Sequence, residues 1–275
     1  MTDTPEASKS SGIKIALAVI PALLIVSICV ALYLGVNADQ EEGEPLEGDV
    51  TVPEMSDYLL KLNNLIGERE IGTKAGQKAF RRLNAMTAGT LGFQNLGYEI
   101  FRNQIDSVNG LLWSTIWIKA GDRESREPVV LAIPQASQGS GPAFGFGFAE
   151  YLTSHQTGVG VRIVFYPPLI EGDLDDWIWE RCGEEGESMK GFVMVTGDAE
   201  PNRSPRFLVP TSLEGKIEAL SNSEIWNEEA KIEIGDHGVL EVRLGDDSLF
   251  SREEHSQRII RMMPVIKELV ERLNE

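Results

Sequence analysis

Histidine and cysteine, the residues that most often hold metals or act as nucleophiles, are scarce: three histidines and two cysteines in 275 residues. Cys29 lies in an apolar run, which leaves Cys182 alone in the rest of the chain. No disulfide can form there, so cysteine does not report the compartment. His155, His237 and His255 share no local spacing of the H-E-x-x-H or C-x-x-C kind that builds a zinc site. Glycine is plentiful, yet "SQGSGPAFG" has neither the G-x-S-x-G of a nucleophile elbow nor the G-x-x-x-x-G-K of a phosphate loop. Bases are in deficit as well. The 25 Lys and Arg against 43 Asp and Glu give a net charge of −18, which repels nucleic acid phosphates and argues against them as a partner.

Charge is missing altogether from residues 15–36, "IALAVIPALLIVSICVALYLGV". At 1.5 Å per residue this stretch matches the roughly 30 Å apolar core of a bilayer, and it reads as a transmembrane helix. It is longer than the apolar core of about 7–15 residues in a cleaved signal peptide, so a retained anchor is expected. Lys9 and Lys14 precede it, whereas Asp39, Glu41, Glu42, Glu44, Glu47 and Asp49 follow with no base before Lys61. The positive-inside rule then makes 1–14 a cytoplasmic tail and puts the rest outside the cytoplasm, a single-pass protein of the cell or inner membrane. Residues 37–52 read as a self-repelling acidic spacer.

Residues 53–275 carry the pattern of one α/β domain. Leu59, Leu62, Leu65 and Ile66 recur at helical spacing, and a second amphipathic helix is expected over 73–88. Strands are expected at 97–105 and 111–120, joined as a hairpin by an Asn-Gly turn. "PVVLAIP" (128–134), a helix over 142–155 and "VGVRIVFYPP" (159–168) form a strand, helix, strand unit with a parallel pair. The glycines of "GPAFGFGF" are read as letting that helix approach a strand closely. Strands at 190–198 and 238–246, a helix at 211–222, and a C-terminal amphipathic stretch kinked or interrupted at Pro264 complete the expectation. The fold class is α/β, a three-layer α/β/α domain around a mixed, mainly parallel sheet, preceded by one transmembrane helix.

The succession from "LNNLIGEREIGTKAGQKAF" through "LGFQNLGYEI", "PVVLAIPQAS", "GPAFGFGFAEYL" and "VRIVFYPP" resembles the first half of the zinc aminopeptidase family. That family includes bacterial leucyl aminopeptidases, glutaminyl cyclases, and the non-enzymatic domains of transferrin receptor and nicastrin. The resemblance implies a two-zinc site whose first ligands come from an H-x-D at the end of the strand "VVLAIPQAS", where this chain has Pro134 and Ala136. It implies a bridging Asp from D-N-x-S-G near Gly141, and paired glutamates near Leu169 and Ile170. None of these residues offers the carboxylate or imidazole that a two-metal hydrolase requires. The implied protein is a degenerate member with no catalytic residues, no metal ligands and no cofactor. Its role would be binding a protein or peptide, or assembly. The alternative is a divergent zinc-dependent hydrolase whose ligands have moved to Asp173, Asp176 and His237. The plainer reading of those residues is an acidic helix start and a polar turn.

Overall fold

Thr51 begins the folded part with a reciprocal cap: its hydroxyl accepts from the Glu54 amide, and the Glu54 carboxylate accepts from the Thr51 amide at 2.9 Å. With Pro53 in the first turn, this sets the start of α1 (Val52–Leu60), which continues as a π-helical stretch over Lys61–Ile66 and stops at Gly67, φ +76°. The computed structural model describes residues 49–70, 72–108, 111–136, 139–167, 173–197, 206–215, 231–235, 239–244 and 251–274. The transmembrane helix expected at 15–36 lies outside these residues, among which no helix is long and apolar enough to cross a membrane.

The chain then forms α2 (Lys74–Leu91), the antiparallel hairpin β1 (Phe101–Val108) and β2 (Leu111–Gly121), β3 (Val129–Pro134), α3 (Ser140–Ser154) and β4 (Gly160–Tyr166). There follow α4 (Leu174–Cys182), β5 (Gly191–Thr196), β6 (Arg206–Pro210), β7 (Lys231–Gly235), β8 (Leu240–Arg243) and α5 (Arg252–Asn274). One eight-stranded sheet results, in the order β1-β2-β4-β3-β5-β8-β6-β7. The pairs β3–β4, β3–β5, β5–β8 and β6–β7 are parallel, and the other three are antiparallel, so the sheet is mixed.

Alternation along the central strands sorts their side chains to two covers. Ile118, Leu131, Ile133, Ile163, Phe165, Val193 and Val242 join one core with residues of α1, α2, α3 and α5. Trp117, Val130, Ala132, Val164 and Phe192 join a second core with Trp177, Ile178 and Cys182 of α4. The three-layer arrangement expected from the sequence is present. Trp113 and Trp117 serve different neighbours: the first meets Phe80 of α2 edge-on at 4.6 Å, while the second stacks on Phe101 at 4.1 Å.

Helix α3 is buried from Ser140 to Ala149. A methyl on Gly145 would strike Ile133 and lie 2.7 Å from the Phe165 ring, and one on Gly147 would strike Met55 and lie 2.5 Å from the end of Met263. One glycine admits the sheet and the other admits α1 and α5, which is the close approach the sequence suggests. Phe144 and Phe148 stack on each other at 5.3 Å, and Phe146 lies 5.5 Å from Tyr58 and 5.4 Å from Phe165.

Two expectations are corrected. α5 runs unbroken from Arg252 to Asn274 with Pro264 inside, because Ile259, Met262, Met263, Val265 and Ile266 on both sides of the proline are buried in one core. Strands β6 and β7 were not expected. Only the 3₁₀ turn Thr211–Leu213 and residues 214–215 of the expected 211–222 helix fall within the described residues.

Two substitutions separate packing from propensity. Gly145→Ala should destabilise the domain by about 1–3 kcal/mol in urea unfolding, the usual cost of overpacking. Gly89→Ala, on the exposed side of α2 with no atom within 4 Å, should stabilise it by about 0.5–1 kcal/mol. A neutral or favourable Gly145→Ala would contradict the packing of α3. A second prediction concerns pH. The half-buried Glu150 carboxyl is held above its ordinary value by burial first and by Glu54 next, against the hydrogen bond from Tyr58. Its folded value exceeds its unfolded one, so the ionised form is the disfavoured one. Glu150→Gln should therefore be more stable than wild type at neutral pH, with the difference vanishing below the ordinary carboxylate range near 4.5. An equal gain at both pH values would rule out ionisation as the cause.

Candidate functional site

The order of the parallel strands locates a candidate site before any side chain is considered. From β3 the chain crosses through α3 to β4 on one side, then through α4 to β5 on the other. The switch of direction opens a crevice at the carboxyl ends of β3 and β5, where open α/β sheets bind their ligands. Pro134 to Ala136 leave β3 at this point, Thr196 and Gly197 leave β5, and Ser140 and Gly141 start α3.

Gln135 is 1% exposed and held by four hydrogen bonds, while its side-chain Oε1 has no partner among the described residues. Its amide donates to Tyr166 O at 2.8 Å, and its side-chain nitrogen donates to Phe165 O at 3.1 Å and Ser114 O at 3.2 Å. Its own carbonyl accepts from the buried Arg69 Nε at 2.7 Å, and Arg69 also reaches Gly67 O at 3.2 Å. Arg69 thereby ties the end of the π-helical stretch to the end of β3.

Across the crevice, Ser140 Oγ and His255 Nε2 lie 3.0 Å apart. Ser140 is fully buried and His255 is 1% exposed. Gly197 closes over them: a methyl there would lie 2.9 Å from both Ser140 Cβ and Ser140 Oγ. The carboxyl end of β5, the first turn of α3 and the first turn of α5 therefore meet without an intervening gap. Sequence reasoning left Gln135 and Ser140 out, and treated His255 only as a residue of the last helix. No local spacing links positions 135, 140 and 255, so no short motif could have signalled their meeting.

The residues named from the sequence fall as follows. Pro134 ends β3 half-buried, Ala136 is exposed just after it, and Gly141 is buried as the second residue of α3. Leu169, Ile170 and His237 lie outside the described residues. Asp173 precedes α4 and its carbonyl accepts from the Trp177 amide at 3.0 Å; its side chain makes no cap. Asp176 is exposed in the first turn of α4 beside Asp175, where acidic groups suit the helix dipole.

A zinc site needs deprotonated nitrogen, sulfur or carboxylate donors. Among the described residues no three His, Cys, Asp or Glu side chains gather to hold a metal. The crevice offers an amide, a hydroxyl and one imidazole already engaged with that hydroxyl. Among the described residues this donor set does not fit zinc. Cys182 provides no reactive thiol: burial first, then the neighbouring Glu187, push it up to about 12 despite the opposing Arg162. Burial, more than the run of acids after it, is the cause.

No family model and no curated protein matches this sequence. Solved structures do match in shape. A leucine aminopeptidase precursor from Bacteroides thetaiotaomicron superposes with a TM-score of 0.56 at 13% identity over 84% of this chain and 99% of that one. A Zn-dependent exopeptidase from Parabacteroides distasonis gives 0.52 at 12% identity over 81% and 98%. A glutaminyl cyclase from Porphyromonas gingivalis gives 0.54 at 13% identity over 82% and 99%. The chain thus has the α/β fold seen in zinc-dependent exopeptidases and glutaminyl cyclases.

Proposed function

We propose that this chain is a single-pass membrane protein whose aminopeptidase-like domain lies outside the cytoplasm and serves in binding a protein or peptide, or in assembly, without hydrolysing it. The observation that supports the reading is the set of side chains described at the switch point. Gln135 is held by four hydrogen bonds, and Ser140 and His255 meet beneath Gly197. A two-metal hydrolase needs carboxylates and imidazoles to hold ions about 3.5–4 Å apart and to lower the pKa of bound water from about 15.7 toward 7. Pro134, Ala136, Ser140 and Gly141 bring neither group to this edge. Anchoring rests on the uncharged residues 15–36, and orientation on Lys9 and Lys14 before them against the acidic run after them. The competing reading is a divergent metal-dependent hydrolase using Asp173, Asp176 and His237.

The full chain should show no aminopeptidase or glutaminyl cyclase turnover above background, with or without added zinc, cobalt or manganese. Chelator should leave the melting temperature unchanged. A metal held by the native state alone at a hundredfold excess over its Kd would add about 2.7 kcal/mol. Metal-dependent turnover abolished by His237→Ala would establish the competing reading instead.

Topology has its own test. Protease added to intact cells or spheroplasts should digest the domain while the anchor stays in the membrane fraction. Complete protection would reverse the orientation, and a mature N-terminus near Asp39 would remove the anchor.

A further inference from the structure

We propose that the outer side of α2 and the groove beside it form a docking surface for an acidic peptide segment carrying one bulky apolar side chain. The proposal deepens the binding reading above, on which it rests for the existence of a partner, and places that partner away from the switch point.

α2 carries Lys74, Lys78, Arg81 and Arg82 and no carboxylate, in a chain whose net charge is −18. All four cations are exposed, and none is ion-paired with a described carboxylate. This arrangement opposes the helix that bears it. Lys74 loads its positive amino end, and Lys74/Lys78 and Lys78/Arg82 are like charges at i,i+4, which repel. No described carboxylate compensates for them.

Beside these cations lies a groove of about 410 Å³ lined by Lys61, Leu65, Ile66, Arg82 and Met86. Arg82 Nη1 donates to Leu65 O at 3.1 Å, which holds its cationic head at the rim. Leu65 is 63% exposed although it sits in the π-helical stretch whose neighbours Leu62 and Ile66 are buried. Met86 gives the groove a deformable wall. An apolar groove edged by Arg82, next to the exposed Lys74, Lys78 and Arg81 of α2 and with Lys61 already paired to Asp57, is complementary to a peptide with carboxylates flanking one aliphatic or aromatic side chain. Leu65 and Met86 beside Arg82 add an apolar contact to the cationic one, which favours a peptide carrying both groups over a purely anionic surface.

The probe is a fluorescein-labelled peptide of glutamate and aspartate around one central leucine, titrated against the full chain in detergent micelles. Binding should saturate, weaken with added salt, and fall at least about tenfold in K78E/R81E/R82E and severalfold in Leu65→Ser. Replacing the probe's leucine by serine should reproduce the Leu65→Ser loss. These side chains are exposed, and an unchanged melting temperature would show that the variants fold. Absence of saturable binding, or equal affinity in the triple variant, would overturn the proposal. So would a face that ignores the peptide but is held by phosphatidylglycerol vesicles through the same cations. Loss of probe binding in Ala136→Arg with the α2 variants unaffected would move the site to the switch point and leave a binding role standing. Metal-dependent turnover would instead defeat the functional reading while leaving the α2 measurements unchanged.

Discussion

The fold depends on α3 being narrow on two opposite sides. A helix with its side chains is about 10–12 Å across, and α3 is covered by the sheet on one side and by α1 and α5 on the other. Gly145 removes the side chain that would meet Ile133 and Phe165, and Gly147 removes the one that would meet Met55 and Met263. The phenylalanines between them then fill the flanks. Glycine weakens a helix, but here each absent methyl permits the burial of several large apolar groups, at about 25 cal/mol for each Å² removed from water. The net effect favours the layered structure.

Seating α3 this deeply also decides what happens at the crevice. Its first residue, Ser140, is carried against Gly197 at the end of β5, and the first turn of α5 completes the closure through His255. Arg69, Gln135, Ser140 and His255 meet there, and their hydrogen bonds run to one another and to backbone, with Gln135 Oε1 left over. Buried polar groups of this kind specify one arrangement of the chain, since a misplaced partner leaves a donor or acceptor without water or protein.

Much of this was legible in the sequence, and the exceptions have physical causes. The unbroken apolar run of β3 and the crossover through α3 to β4 could be read because a strand covered on both faces has no polar alternation and its pattern is local. The glycines of α3 could be read for the same reason. β6 and β7 could not, since "RFLVP" and "KIEIG" are short and lie next to proline or glycine, so their strand character comes from pairing with each other and with β8. The continuity of α5 was hidden because the local penalty of Pro264 is real, and only burial of the turns around it outweighs that penalty. The Arg69–Gln135 and Ser140–His255 contacts join residues 66 and 115 positions apart. Separations of that size are set by topology and leave no periodic trace.

Two segments break the local rules of helix design, and the difference between them is informative. The glycines of α3 violate propensity, yet each is answered by a specific neighbour that needs the space. The cations of α2 violate charge placement, and no described carboxylate answers them; Lys61, across the groove, already pairs with Asp57 at 2.5 Å. Locally unfavourable features that nothing inside the fold compensates are expected where a protein meets something else. The glycines of α3 thus serve the packing of the layers, whereas the exposed cations of α2 pair with no described carboxylate and are free to meet a partner.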